Sequence, residues 1–190
     1  MIAIRRARPA DASAIAAVHV AAWRSAYPGI LPDTFLARLS VPRQAAHYDH
    51  AIRAGTGVHV ATVSGLDLGP NGGPARIVGF VTGGMARGGA AAARLGEGEI
   101  ETLYVLDDWR EQGLGRRLMR AAAAHLAGMG CRSAFLWVLR DNPSRWFYER
   151  LGGKAVAESI IHVGGAAVAQ TAYAWSPIEK LAQATSSSAP

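Results

Sequence analysis

Cysteine is almost absent. Cys131 is the only one in 190 residues, which excludes an internal disulfide and a thiolate-based metal cluster. Its place just before the apolar segment at residues 134 to 138 favours a packed thiol over a nucleophile. Lysine is nearly as scarce. With Lys154 and Lys180 alone, the net charge of +6 is an arginine charge, and it is scattered along the chain instead of striped, so no nucleic-acid partner is expected. No apolar run is long enough to span a membrane, and Met1-Ile2-Ala3-Ile4-Arg5-Arg6 has neither the apolar core nor the cleavage site of a signal peptide. A cytoplasmic protein without membrane contact is the expectation. The six histidines fall at no ligand-like spacing; His47 and His50 read as a solvated helix face, and no metal site is expected.

What remains is a chain of globular composition, long enough to bury a core without crosslinks. The length fits one domain over residues 1 to 180, followed by a disordered tail over 181 to 190 rich in Ser, Ala and Thr. A first strand at residues 2 to 8 precedes a helix with Asp11 as N-cap, carrying Ile15, Val18, His19 and Trp23. Pro28-Gly29, Pro32-Asp33 and Pro42 punctuate two further short helices. Strands at 58 to 63 and 77 to 82 flank a loop rich in glycine and proline. A glycine- and alanine-rich loop over 85 to 96 reads equally as an acceptor mouth or a disordered surface loop. After a strand at 133 to 139 and a helix at 143 to 151, two strands meet at a Gly164-Gly165 turn. The fold class is α/β, with a mixed, mostly antiparallel central sheet flanked by helices.

The most informative stretch is Ile100-Glu101-Thr102-Leu103-Tyr104-Val105, followed after a turn by Arg110-Glu111-Gln112-Gly113-Leu114-Gly115-Arg116-Arg117. Leu114, Leu118, Ala122, Leu126 and Met129 recur at helical spacing, so a helix starts at the glycines. The first N–H groups of a helix lack internal partners and carry roughly half a positive charge, and glycine lets an anion approach them. The lysine and hydroxyl of a Walker loop are missing. So are the third glycine and the acidic residue of a dinucleotide fingerprint.

The segment resembles the acetyl-CoA loop of the GCN5-related N-acetyltransferases (GNAT), Arg/Gln-x-x-Gly-x-Gly/Ala, spelled here by Arg110, Gly113 and Gly115. The preceding Glu101-x-Leu103-Tyr104-Val105 fits that family's strand. Downstream, Asn142, Tyr148 and Glu149-x-Leu151-Gly152 fit its second motif, and Gly153 departs from it where phenylalanine is usual. Trp23 and Tyr27 resemble a Trp-x-x-x-Tyr stretch that walls the acceptor pocket in many bacterial members; they can equally be core.

The resemblance implies the GNAT (acyl-CoA N-acyltransferase) fold, with a bulge in the cofactor strand, which splays from the strand after the cofactor helix. It implies acetyl-CoA as co-substrate, an amine-bearing acceptor, and a homodimer by analogy with many relatives. Backbone groups of Leu103, Tyr104 and Val105 would hold pantetheine and supply an oxyanion N–H. Arg110, Gln112, Gly113, Leu114, Gly115 and Arg116 would hold the pyrophosphate, and Asn142 the pantetheine arm. Transfer to an amine needs two proton movements. Glu101 is the candidate base with Glu99 in reserve, and Tyr148 is the candidate acid. The competing function is a binding or regulatory domain of the same fold that holds an acyl-CoA without turnover.

Overall fold

The computed structural model describes residues 2 to 64 and 75 to 186. The expected flexible connection over 65 to 75 lies almost wholly outside them. Seven strands form one sheet in the order β1-β2-β3-β4-β5-β7-β6: β1 (Ile2–Arg6), β2 (Gly57–Val63), β3 (Arg76–Met85), β4 (Gly98–Val105), β5 (Ala134–Leu139), β6 (Lys154–Val163) and β7 (Ala166–Trp175). Only β4 and β5 run parallel; every other neighbouring pair is antiparallel. The helices are α1 (Ala12–Ala26), α2 (Asp33–Ala37), α3 (Val41–Arg53), α4 (Gly89–Ala93), α5 (Leu114–Gly128), α6 (Arg145–Arg150) and α7 (Glu179–Ser186). This is the mixed, mostly antiparallel α/β architecture the sequence implies.

Each face of the sheet is covered by helices because its strands present apolar side chains on both sides. Ile15, Ala16 and Val18 of α1 and Tyr48 of α3 bury Val58, Val60 and Phe80 on one face. On the other, Leu114, Leu118, Ala122 and Leu126 of α5 fall four residues apart and seat against Val78, Val81, Ile100 and Leu136. That stripe is the expected one, except that Met129 lies past the helix end and is exposed.

Three local expectations are corrected. Asp11 occupies the N-cap position of α1 but makes no cap hydrogen bond to that helix. Its carboxylate instead accepts from Arg5 at 2.7 and 2.9 Å and from the Arg8 N–H, an arrangement that holds it below the usual carboxylate pKa, chiefly through Arg5. The loop over 85 to 96 contains the short helix α4. The expected disordered tail from residue 181 is helical to Ser186: Ile178 and Leu181 enter the core beside α5, and the Thr185 hydroxyl donates to the Leu181 carbonyl at 2.7 Å. Composition concealed this because the apolar positions are few but correctly spaced.

The Gly164-Gly165 turn between β6 and β7 has positive φ at both residues, as a two-residue hairpin requires. It rests against Phe35 of α2, where a Cβ on Gly164 would come within 2.6 Å. The departure at Gly153 also has a physical reason. Trp175 and the Tyr148 carbonyl occupy that volume: a Cβ at residue 153 would lie 2.8 Å from the indole ring and 2.9 Å from the carbonyl oxygen, and the indole N–H donates to the Leu151 carbonyl at 2.8 Å.

Candidate active site

The cleft originates in two irregularities of β4. Against β3, Thr102 pairs with Thr82 and Ile100 with Gly83, which leaves Glu101 as the extra residue of a β-bulge. The bulge breaks the side-chain alternation. Ile100, Leu103 and Val105 meet the α5 cluster, whereas Tyr104 meets the α1 and α3 side and Thr102 bonds Thr82 at 2.7 Å. On its other edge, β4 pairs with β5 only at Gly98–Ala134 and Glu99–Phe135. Beyond that point the strands part, while β5 stays paired with β7 as far as Leu139. The opening is a cleft of about 990 Å³ whose walls include residues 100 to 105 and 136 to 139.

One end of the cleft is the start of α5. Gly113 precedes the helix at φ 74°, a left-handed conformation that strains any residue with a Cβ, and Glu111 beside it is the only non-glycine with positive φ among the described residues. A Cβ on Gly115 would stand 3.2 Å from the Phe147 ring. Leu114 is buried, so it offers the cleft its backbone and not its side chain. Arg110, Gln112 and Arg116 all line this end. Arg110 is steadied by an ion pair to Asp107 at 2.8 Å, and Gln112 by a bond to the Asp108 carbonyl. Two other arginines are engaged elsewhere: Arg117 donates to the Ile2 carbonyl, and Arg145 stacks on Trp146 at 4.4 Å.

Tyr148 reaches the middle of the cleft from α6. It is buried, and burial followed by the nearby Tyr27 raises its phenol pKa, so the proton stays on oxygen at neutral pH. Asn142 is also buried. Its Oδ1 accepts from the Ser144 N–H at 2.9 Å, and its amide donates to the Tyr27 hydroxyl at 3.4 Å. That pair ties the turn before α6 to α1.

The far end is aromatic. His19 and Trp23 of α1 and Tyr27 just past its end recur every fourth residue, with successive ring centroids 5.0 Å apart, and Trp23 meets Tyr104 edge-on at 6.3 Å. Trp23 and Tyr27 line the cleft, and they also belong to an apolar cluster with Leu31 and Leu36, so wall and core are one surface. The two acidic candidates separate. Glu101 is exposed and lines the cleft, whereas Glu99 borders a smaller cavity with Arg87, Phe135 and Trp137, its pKa raised by burial and then by Glu101. Sequence reasoning missed Phe147, Ile161, Val163 and the His19–Tyr48 bond of 2.7 Å. The four-residue spacing of His19, Trp23 and Tyr27 was the available signal for the aromatic face; nothing local marks Ile161 or Val163.

Residues 30 to 153 match the model of the acetyltransferase (GNAT) family. The chain belongs to that family. As a GNAT protein it is an N-acetyltransferase, and its similarity extends beyond the matched span. It is 29% identical over 181 residues to an uncharacterized N-acetyltransferase, YuaI, of Bacillus subtilis, covering 95% of this chain and 96% of that one. To a probable N-acetyltransferase of Mycobacterium tuberculosis it is 27% identical, covering 78% of each. The same fold occurs in yncA of Salmonella typhimurium, a putative acetyltransferase solved with acetyl-CoA: TM-score 0.66, 21% identity, covering 93% of this chain and 94% of that one. An N-acetyltransferase from Staphylococcus aureus Mu50 superposes equally well, with TM-score 0.66 at 18% identity over 93% and 98% of the two chains. The glycine loop and Tyr148 of this GNAT chain fall inside the family match, and Trp23, Tyr27, Ile161 and Val163 fall outside it. Among the described residues, no helix is long and apolar enough to cross a membrane.

Proposed function

We propose that this GNAT chain transfers the acetyl group of acetyl-CoA directly to a primary amine, with no covalent enzyme intermediate. Acetyl-CoA is the co-substrate; when bound, it supplies a thioester carbonyl open to attack. The donor set fits it: a helix start opened by glycines and flanked by Arg110, Gln112 and Arg116 for phosphates, then a narrow gap between parted strands for an extended arm. Backbone groups of Leu103, Tyr104 and Val105 edge that gap and bind pantetheine, and an N–H among them stabilises the developing oxyanion. Asn142 orients the arm from the opposite wall.

The observation that carries this reading is the pair of groups placed in one cleft. Glu101 projects from the bulge as an accessible carboxylate, and Tyr148 holds a protonated phenol within the splay. As the amine nitrogen bonds to the carbonyl carbon and the carbon–sulfur bond breaks, Glu101 receives the amine proton, directly or through water. Tyr148 supplies a proton to the departing sulfur.

Thiol release from acetyl-CoA across a panel of amines, with wild type beside Tyr148→Phe, tests the assignment. The variant should lose about 10²–10⁴-fold in kcat while acetyl-CoA affinity stays nearly unchanged. Equal losses in both would remove Tyr148 from the role of acid.

A further inference from the structure

Charge is distributed unevenly along the cleft. Among the described residues that line it, the charged ones are Glu101, Arg110, Glu111, Arg116 and Arg150. Arg110, Glu111 and Arg116 belong to the loop and first turn at the phosphate end. Arg150 lies three residues after Phe147 on α6, hence on the same helix face, and Phe147 covers Gly115 of that loop. The cations are therefore gathered at the cofactor end. The acceptor end keeps a single charged group, the carboxylate of Glu101.

The same cleft also has an aromatic and aliphatic wall that includes Trp23, Tyr27, Leu31, Tyr104, Ile161 and Val163. Phe35 stands 6.1 Å from Trp23 and packs on the Gly164 turn, so α2 and the β6–β7 hairpin meet beside this wall.

Resting on the acetyl-transfer reading above, we propose that the acceptor is a small apolar or aralkyl monoamine without a carboxylate. Its ammonium lies against Glu101 and the aromatic faces, where cation–π attraction adds to the ion pair. Its hydrocarbon body displaces water from the Trp23, Leu31 and Val163 wall. A free amino acid would bring a carboxylate into this end with no cation to receive it, and burying an unpaired charge is costly. A polycationic sugar would find one carboxylate for several ammonium groups. A peptide would lay polar backbone amides on that apolar wall, where they lose water without gaining partners.

The test compares 2-phenylethylamine, phenylalanine, phenylalanine methyl ester, kanamycin and a peptide with N-terminal phenylalanine, in thiol-release assays on the full chain with acetyl-CoA. 2-Phenylethylamine and the ester should exceed phenylalanine, kanamycin and the peptide in kcat/KM by about 100-fold, the scale of an uncompensated buried charge. Val163→Lys should narrow the gap between phenylalanine and 2-phenylethylamine by tenfold or more. Preference for phenylalanine, kanamycin or the peptide overturns the inference and leaves the acetyltransferase reading intact. A separate readout is quenching of tryptophan fluorescence by 2-phenylethylamine, lost in Trp23→Leu. Such quenching without thiol release supports the acceptor class and overturns the transfer mechanism; neither quenching nor release overturns the acceptor class.

Discussion

His19 should make this protein acid-sensitive by a calculable amount. Its ring is buried on α1, with Nδ1 2.7 Å from the Tyr48 hydroxyl. Burial, followed by the neighbouring His47, lowers its pKa from 6.5 to about 4. A depressed histidine pKa means the unfolded chain takes up the proton first, so the contribution is intact above about pH 6.5 and is lost as pH falls towards 4. Between pH 7 and pH 5 the linkage amounts to about 2 kcal/mol, a large share of a stability of roughly 5–15 kcal/mol. His19→Gln retains a polar partner for Tyr48 but cannot titrate. Urea unfolding at pH 7 and pH 5 should therefore show wild type losing about 2 kcal/mol more than the variant. Asp11, His59 and the other titrating groups are common to both proteins and cancel in the difference. If the two proteins lose stability in parallel, to within about 0.5 kcal/mol, His19 is not the group whose burial is being relieved.

Three further outcomes follow from local geometry. Gly113→Ala places a Cβ in open space but at φ 74°, so calorimetry should find a loss of about 1–2 kcal/mol, accompanied by weaker acetyl-CoA binding in a titration. Gly153→Phe, which restores the residue usual in the family, should destabilise by about 1–3 kcal/mol because Trp175 and the Tyr148 carbonyl already fill the space; the same change made in a Trp175→Ala background should cost less, and an equal cost in both backgrounds would refute the exchange of volumes. Leu181→Ala should cost about 2–5 kcal/mol in denaturant unfolding, since that side chain is fully buried, whereas an unstructured tail would give no change.

The glycine loop at the start of α5 was legible because its information is local. Gly113 and Gly115 stand next to a stripe repeating every four residues, and that spacing dictates both the helix and the buried face it presents. The place of Tyr148 in the cleft was foreshadowed by Asn142 and the Glu149-x-Leu151-Gly152 context around it. The order of elements and the Gly164-Gly165 turn rest on equally short-range rules of backbone conformation.

Other features depend on register and on contacts between distant segments. A two-residue period would put Glu99 and Glu101 into one environment, yet the bulge leaves Glu101 in the main cleft and Glu99 in a separate cavity. A bulge arises from how β3 and β4 pair, which neither strand encodes alone. Arg117 has the right type and position for phosphate, but helix rotation points it at the Ile2 carbonyl. Trp175 replaces a missing side chain at residue 153. The aromatic wall of the cleft joins α1 to the β6–β7 hairpin across more than 130 positions of chain, since Trp23 and Ile161 share one cleft. The sequence by itself therefore determined the glycine-loop end of the cleft, which a single strand, loop and helix build. Only the tertiary structure decided the aromatic end, because its charge and shape come from side chains that folding alone brings together.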